Sequence, residues 1–210
     1  AWKFRRSRPT SACRSGAGNV KIGVLALQGA FREHRWMLER CGTETAEVRK
    51  PDDLDGLDGL IVPGGESTTI GKLLVEWGLM DRIKERAAAG LAIYGTCAGM
   101  ILLAKDIVGS NQPRLGLMDV KVRRNAFGRQ RESFEADLHV PEFGAEPVRA
   151  VFIRAPYIES AGPDVKVMAA VGDHIVIARQ GRFLATAFHP ELTRDDRIHK
   201  YFIKMIEGKE

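Results

Sequence analysis

Cys97 lies in Gly95-Thr-Cys-Ala-Gly99, between the apolar run Leu91-Ala-Ile-Tyr94 and the small and aliphatic residues 98–104. The run reads as a buried strand and residues 98–104 as a packed helix, so Cys97 falls at the apex of a strand-to-helix turn with only small neighbours. That is the pattern of a nucleophile elbow, which pushes one side chain out beyond a sheet edge. A cysteine of ordinary pKa, about 8.5, is only slightly ionised at neutral pH. The positive end of the following helix favours its thiolate. A thiol nucleophile also needs a base. The chain has five histidines. His34 falls on an amphipathic helix, His139 near a strand end, His174 in a Gly-Asp turn and His199 in the C-terminal helix. His189 differs: it follows the apolar run 183–188 and opens His-Pro-Glu-Leu. Residues two apart in an extended segment point the same way, which places Glu191 beside His189. A carboxylate there would hold the imidazole tautomer and stabilise the imidazolium, and Pro190 would stiffen the spacing. An isolated cysteine is usually a packing residue and an isolated His-x-Glu is weak; together they point to thiol-based acyl transfer.

The elements that must hold these groups can be read along the chain. Residues 21–27 are an apolar run of strand length, suited to the centre of a parallel sheet. A helix follows, with Phe31, His34, Met37, Leu38 and Cys41 at helical spacing and Gly42 as its stop. Residues 44–48 and 60–62 are further strands, the latter running into Pro63-Gly-Gly-Glu-Ser67. That loop is not a phosphate-binding Walker loop: from Gly65 the second glycine arrives one position late, at Gly71, and Lys72 precedes Leu73. Its glycines leave backbone amides open to a reacting carbonyl, and one such donor is worth about 3–4 kcal/mol in comparable sites. Helices are expected over 68–77 and 81–89. Up to this point strands and helices alternate, as in a parallel α/β sheet. After residue 104 come short strands (120–122, 134–140, 148–153, 165–171, 175–178 and 183–188), which read as an antiparallel extension. Residues 195–206 form an amphipathic helix with Ile198, Tyr201, Phe202 and Met205 on one face.

Composition narrows the class. At 210 residues, 44% hydrophobic, the chain can bury a full core. No apolar run approaches the ~20 residues that cross a bilayer, so no membrane association is expected. Three cysteines without CxxC or Cys/His spacing suggest neither a disulfide framework nor a zinc site, and a working thiol fits a reducing, cytoplasmic setting. The net charge of +5 comes wholly from residues 1–18, which hold five Lys/Arg and no acid; the rest balances 27 basic against 27 acidic residues. Residues 1–18 are therefore expected to be a disordered basic tail, such as a leader remnant, and residues 19–210 the working domain. Nothing outside that tail favours nucleic acid.

The elbow and the downstream His-x-Glu together resemble the class I, triad-type glutamine amidotransferases. Within that class, Gly23-Val-Leu-Ala-Leu-Gln-Gly29, Pro63-Gly-Gly-Glu-Ser-Thr-Thr69, Arg124-Asn-Ala-Phe-Gly-Arg-Gln130 and Phe152-Ile-Arg-Ala-Pro156 resemble the glutaminase subunits of pyridoxal 5′-phosphate synthases. The resemblance covers residues 21–208. It implies a flavodoxin-like α/β fold and hydrolysis of L-glutamine to glutamate and ammonia through Cys97, His189 and Glu191, by way of a γ-glutamyl thioester. It further implies that the Gly65 and Ala98 amides form the oxyanion hole, and that Gly65, Glu66, Ser67, Arg124, Ile153 and Arg154 contact glutamine. An arginine fork suits the substrate's α-carboxylate. No metal and no cofactor is called for.

Ammonia released into water would be protonated and lost, so such a glutaminase is useful only when docked on an acceptor enzyme. The resemblance names that partner as the synthase barrel subunit, and docking is expected to complete the oxyanion hole. Arg129, Gln130 and Arg131 form a charged cluster that fits a subunit contact or a surface loop equally well. The alternatives are a glutaminase serving another synthase, a thiol peptidase, and a non-catalytic binding subunit on the same fold. An intact Cys97, His189 and Glu191 weighs against the last.

Overall fold

The structure is a computed structural model that describes residues 20–124 and 133–209. The basic tail, residues 1–18, and the cluster Arg129, Gln130 and Arg131 lie outside the described residues.

The chain runs β1 (Lys21–Leu25), α1 (Phe31–Arg40), β2 (Glu44–Val48), β3 (Gly59–Val62), α2 (Ser67–Glu76), α3 (Leu79–Ala88), β4 (Ala92–Thr96), α4 (Ala98–Leu103), β5 (Ala104–Ile107) and β6 (Met118–Arg123). It continues through β7 (Ser133–Leu138), β8 (Val148–Ile153), β9 (Tyr157–Ala161), β10 (Lys166–Val171), β11 (His174–Gln180), β12 (Phe183–Thr186), a 3₁₀ turn (Pro190–Leu192) and α5 (Arg197–Glu207). The main sheet has the order β2-β1-β3-β4-β12-β11-β9-β6-β5, with β10 paired to β11. From β2 to β12 every pair is parallel, the doubly-wound arrangement in which ligands bind beyond the carboxyl ends of the strands. From β12 outward the pairs β12–β11, β11–β9 and β9–β6 are antiparallel.

β3 and β4 are buried at every residue, because helices cover both faces of a parallel core. α1 turns His34, Met37 and Leu38 inward, while Phe31 and Cys41, expected on the same face, are only half-buried. α5 buries the four expected residues and His199 as well.

Four features differ from the sequence expectation. Ala104 does not extend α4 but opens β5, whose exposed Lys105 and Asp106 gave it no strand pattern. β9 (Tyr-Ile-Glu-Ser-Ala) is too polar to stand out, yet it bridges β11 and β6. β7 and β8 do not join the extension but pair as a separate two-stranded sheet. His174 opens β11 rather than lying in a turn, and its ring stacks on Tyr157 at 3.8 Å between centroids.

Candidate active site

Four strand ends converge on one cavity of about 370 Å³. The end of β1 supplies Gln28, the end of β3 Gly65, Glu66 and Ser67, the end of β4 Cys97 and Ala98, and the end of β12 His189. Ile101, Arg124, Ile153, Arg154 and Pro156 complete the wall. Its size suits a small polar metabolite. Every residue named from sequence as catalytic or substrate-contacting lines this cavity except Glu191, which lies behind His189.

The elbow at Cys97 is a strained turn. Cys97 has φ 49° and ψ −101°, a backbone conformation costly for a side-chain-bearing residue. Its N–H donates to Thr186 O of β12 at 2.8 Å, which locks the turn to the neighbouring strand. The turn closes only because Gly99 lacks a side chain: a Cβ there would lie 2.0 Å from the carbonyl oxygen of Val62. α4 has six residues, so its dipole is weaker than a longer helix would supply. The other positive-φ non-glycine among the described residues, Arg154 at 42°, lines the same cavity. Backbone strain of this kind gathers at ligand-binding walls.

His189 is fixed from three sides. Its N–H donates to Val151 O of β8 at 2.9 Å, so the small β7–β8 sheet braces the loop after β12. Its Nδ1 lies 2.8 Å from Glu191 Oε1. The ring sits against Gly64, where a Cβ would come within 2.4 Å of Cε1. Burial opposes a charge on His189, but hydrogen bonds to Cys97 and Glu191, together with their negative charges, outweigh it and raise its pKa to about 10. Glu191 is 6% exposed. Burial works to raise its pKa, yet its contacts with His34 and then His189 hold it below the usual carboxylate range. The three side chains thus form a line from cavity to core.

A second network shapes the opposite wall. Glu66 caps α2, its Oε2 accepting from Thr69 N at 2.7 Å and Thr69 Oγ1 at 2.9 Å. Partial burial disfavours its charge, but these bonds and those from Thr68 keep its carboxyl below the usual range. Arg124 Nη1 donates to Gln112 Oε1 at 2.9 Å and to Thr68 Oγ1 at 3.3 Å, and Nη2 lies 3.4 Å from Glu66 Oε1. Ser67 Oγ donates to the same Gln112 oxygen at 3.3 Å. Gln28 Oε1 accepts from Glu66 N at 2.8 Å, which orders the glycine loop.

Gln112 and Gln28 were not among the site residues named from the sequence. Gln112 comes from the irregular segment between β5 and β6, and only the fold brings it under Arg124. Gln28 could have been suspected from its place just beyond a central strand. Among the described residues no group of three His, Cys, Asp or Glu could hold a metal ion, and no helix is long and apolar enough to cross a membrane.

Residues 24–208 match the SNO glutamine amidotransferase family. The chain belongs to that family. It is 63% identical over 187 residues to "Pyridoxal 5′-phosphate synthase subunit PdxT" of Carboxydothermus hydrogenoformans, an alignment covering 89% of this chain and 98% of that protein. The protein of the same description from Pelotomaculum thermopropionicum is 63% identical over 185 residues, covering 88% and 94%. A solved structure described as a glutamine amidotransferase superposes with a TM-score of 0.85 at 55% identity, covering 89% of this chain and 98% of that one. The α/β architecture expected from the alternating strands and helices, with its mixed extension, is therefore that of a glutamine amidotransferase.

Proposed function

We propose that this amidotransferase is the glutaminase subunit of a pyridoxal 5′-phosphate synthase, hydrolysing L-glutamine and passing ammonia to a separate synthase subunit. The identity to the two PdxT proteins supports the assignment of the customer. The observation that carries the chemistry is the line of Cys97, His189 and Glu191 running inward from the cavity, with the 2.8 Å Glu191–His189 contact behind the cavity wall.

In this reading, the Cys97 sulfur attacks the side-chain amide carbon of glutamine while His189 holds the thiol proton. The C=O π electrons move onto oxygen, and the Gly65 and Ala98 N–H groups receive the oxyanion. Collapse breaks the C–N bond as His189 gives its proton to the departing nitrogen, and ammonia leaves. A water then attacks the thioester, His189 takes its proton, and the C–S bond breaks to release glutamate. Glu191 holds the imidazole throughout and balances its charge. At the far end of the substrate, Arg124 would meet the α-carboxylate and Glu66 the α-ammonium, with Ser67, Ile153 and Arg154 shaping the slot. The charged termini are thereby read apart from the reacting amide. Such a glutaminase works in the same compartment as its synthase, which for a free-thiol enzyme is the cytoplasm.

Glutamate release should be measured for the wild type and Cys97→Ser, with and without a synthase barrel subunit. Release that rises with the partner and vanishes in the serine variant is the expected result. A lone chain as fast as the complex would remove the role of docking in completing the oxyanion hole. No release in any pairing would overturn the assignment.

A further inference from the structure

Behind Glu191 the structure holds a buried pair of histidines that the hydrolysis described above does not use. His34 of α1 and His199 of α5 are both 0% exposed. His34 Nδ1 lies 2.9 Å from His199 Nε2, and His34 Nε2 lies 3.1 Å from Thr96 Oγ1, at the end of β4 just before Cys97. The same Nε2 lies 3.2 Å from Glu191 Oε2, with both side chains completely enclosed. We propose that His34 is a positioning residue for Glu191, its Nε2–H holding the carboxylate oxygen that His189 does not use, and that His199 sets the tautomer of His34. The proposal rests on Cys97, His189 and Glu191 being the catalytic line.

Glu191 Oε1 faces His189, which leaves Oε2 buried. Oε2 has no well-aligned hydrogen bond of its own, so its contact with His34 Nε2 is an off-axis attraction, and Nε2 is shared with Thr96. A bare nitrogen lone pair 3.2 Å from a carboxylate oxygen would be repelled, which assigns the proton to Nε2. His34 is neutral: burial lowers its pKa more than the charge of Glu191 raises it. With one proton only, Nδ1 must be the acceptor, and its donor is His199 Nε2–H. Burial above all pushes the pKa of His199 to about 3, so it too is neutral. Its remaining nitrogen, Nδ1, is then the unprotonated one; it has no hydrogen-bond partner. The ionisable groups acting on His34 are Glu191, His189, His199 and Glu33, with the rings of Tyr94 and His199 packed against it. The pair thus ties α1 and α5, on separate stretches of chain, to the orientation of one carboxylate. Partners that orient a functional side chain in this way commonly change activity 10–100-fold when removed, as seen around metal-bound histidines.

The test is made on the full chain with its synthase partner. ¹⁵N NMR of the wild-type imidazoles needs no substitution and is expected to show His34 and His199 neutral, each protonated at Nε2. In kinetics, His34→Leu is expected to lower kcat at least tenfold with the KM for glutamine within twofold, and to move the acid limb of the pH profile upward. His34→Gln, whose amide N–H reaches the position of Nε2, should restore most of kcat. A His34 protonated at Nδ1 would overturn the proposal. So would a His34→Leu enzyme that melts earlier but keeps wild-type kcat and acid limb, since that marks packing alone. If His34→Leu does not fold, the tautomer decides. A wild type that releases no glutamate overturns the proposal together with the catalytic reading, whereas a Cys97-dependent wild type with an unaffected His34→Leu overturns the proposal alone.

Discussion

Replacing Gly64 by alanine isolates the placement of His189 from every other property of the site. Gly64 does not have a positive φ, so alanine meets no backbone penalty there. The new Cβ would lie 2.4 Å from His189 Cε1 and 3.0 Å from Nδ1. Ordinary carbon–carbon contact begins near 3.4 Å, so the ring or the loop must give by about 1 Å. The ring has little freedom to do so: Nδ1 is held at 2.8 Å by Glu191 and the backbone by Val151. A movement of that size lengthens the Glu191 contact beyond hydrogen-bonding distance or pulls the imidazole away from Cys97. Misplacement by about 1 Å can cost 10²-fold in rate, close to 2.7 kcal/mol of transition-state stabilisation. The expected result is a kcat for glutamine hydrolysis about 100-fold lower at nearly unchanged KM, measured in complex with the synthase partner. A Gly64→Ala enzyme with wild-type kcat would show that the close approach of loop and imidazole does not govern the geometry, and the reasoning would fail.

Two further outcomes follow from the same geometry. The hydrogen bond to Cys97 is the foremost influence raising His189 against its burial, followed by that to Glu191, so Cys97→Ala should bring His189 down from about 10 toward the ordinary value near 6.5. Imidazole NMR would show the wild-type ring protonated through neutral pH and the variant ring titrating at a lower pH than the wild type; equal titrations would refute the coupling. Gly99→Ala drives a Cβ to 2.0 Å from Val62 O, a backbone atom that cannot rotate away. Overpacking of this kind costs roughly 1–3 kcal/mol or more. Chemical denaturation should register that loss and activity should fall with it, whereas a variant of unchanged midpoint would show that the elbow has slack.

Local patterns in the sequence named the candidate catalytic residues and outlined the frame that holds them. Cys97 among small residues could be recognised because a tight strand-to-helix turn is set locally; His189 and Glu191 do meet, but across the 3₁₀ turn Pro190–Leu192 rather than along the extended segment that their spacing suggested, because Pro190 opens a turn there. The alternating apolar strands and helices up to Leu103 declared a parallel sheet, because buried strands must be apolar throughout. Polar strands declared less. β5 and β9 were silent because edge and bridging strands carry exposed charges, and periodicity reports burial rather than pairing.

Tertiary structure alone decided which distant residues meet. Gln112 beneath Arg124, Gln28 on the amide of Glu66, and the β7–β8 sheet bracing His189 are contacts across long stretches of chain that no local pattern encodes. His34 and His199 show the limit most clearly. Each reads as one more inward-facing position on an amphipathic helix, and a helix pattern says only that a face is buried. That the two faces meet behind Glu191, nitrogen to nitrogen at 2.9 Å, depends on how α1 and α5 pack on one face of the sheet, a relation that exists only once the chain has closed around its core.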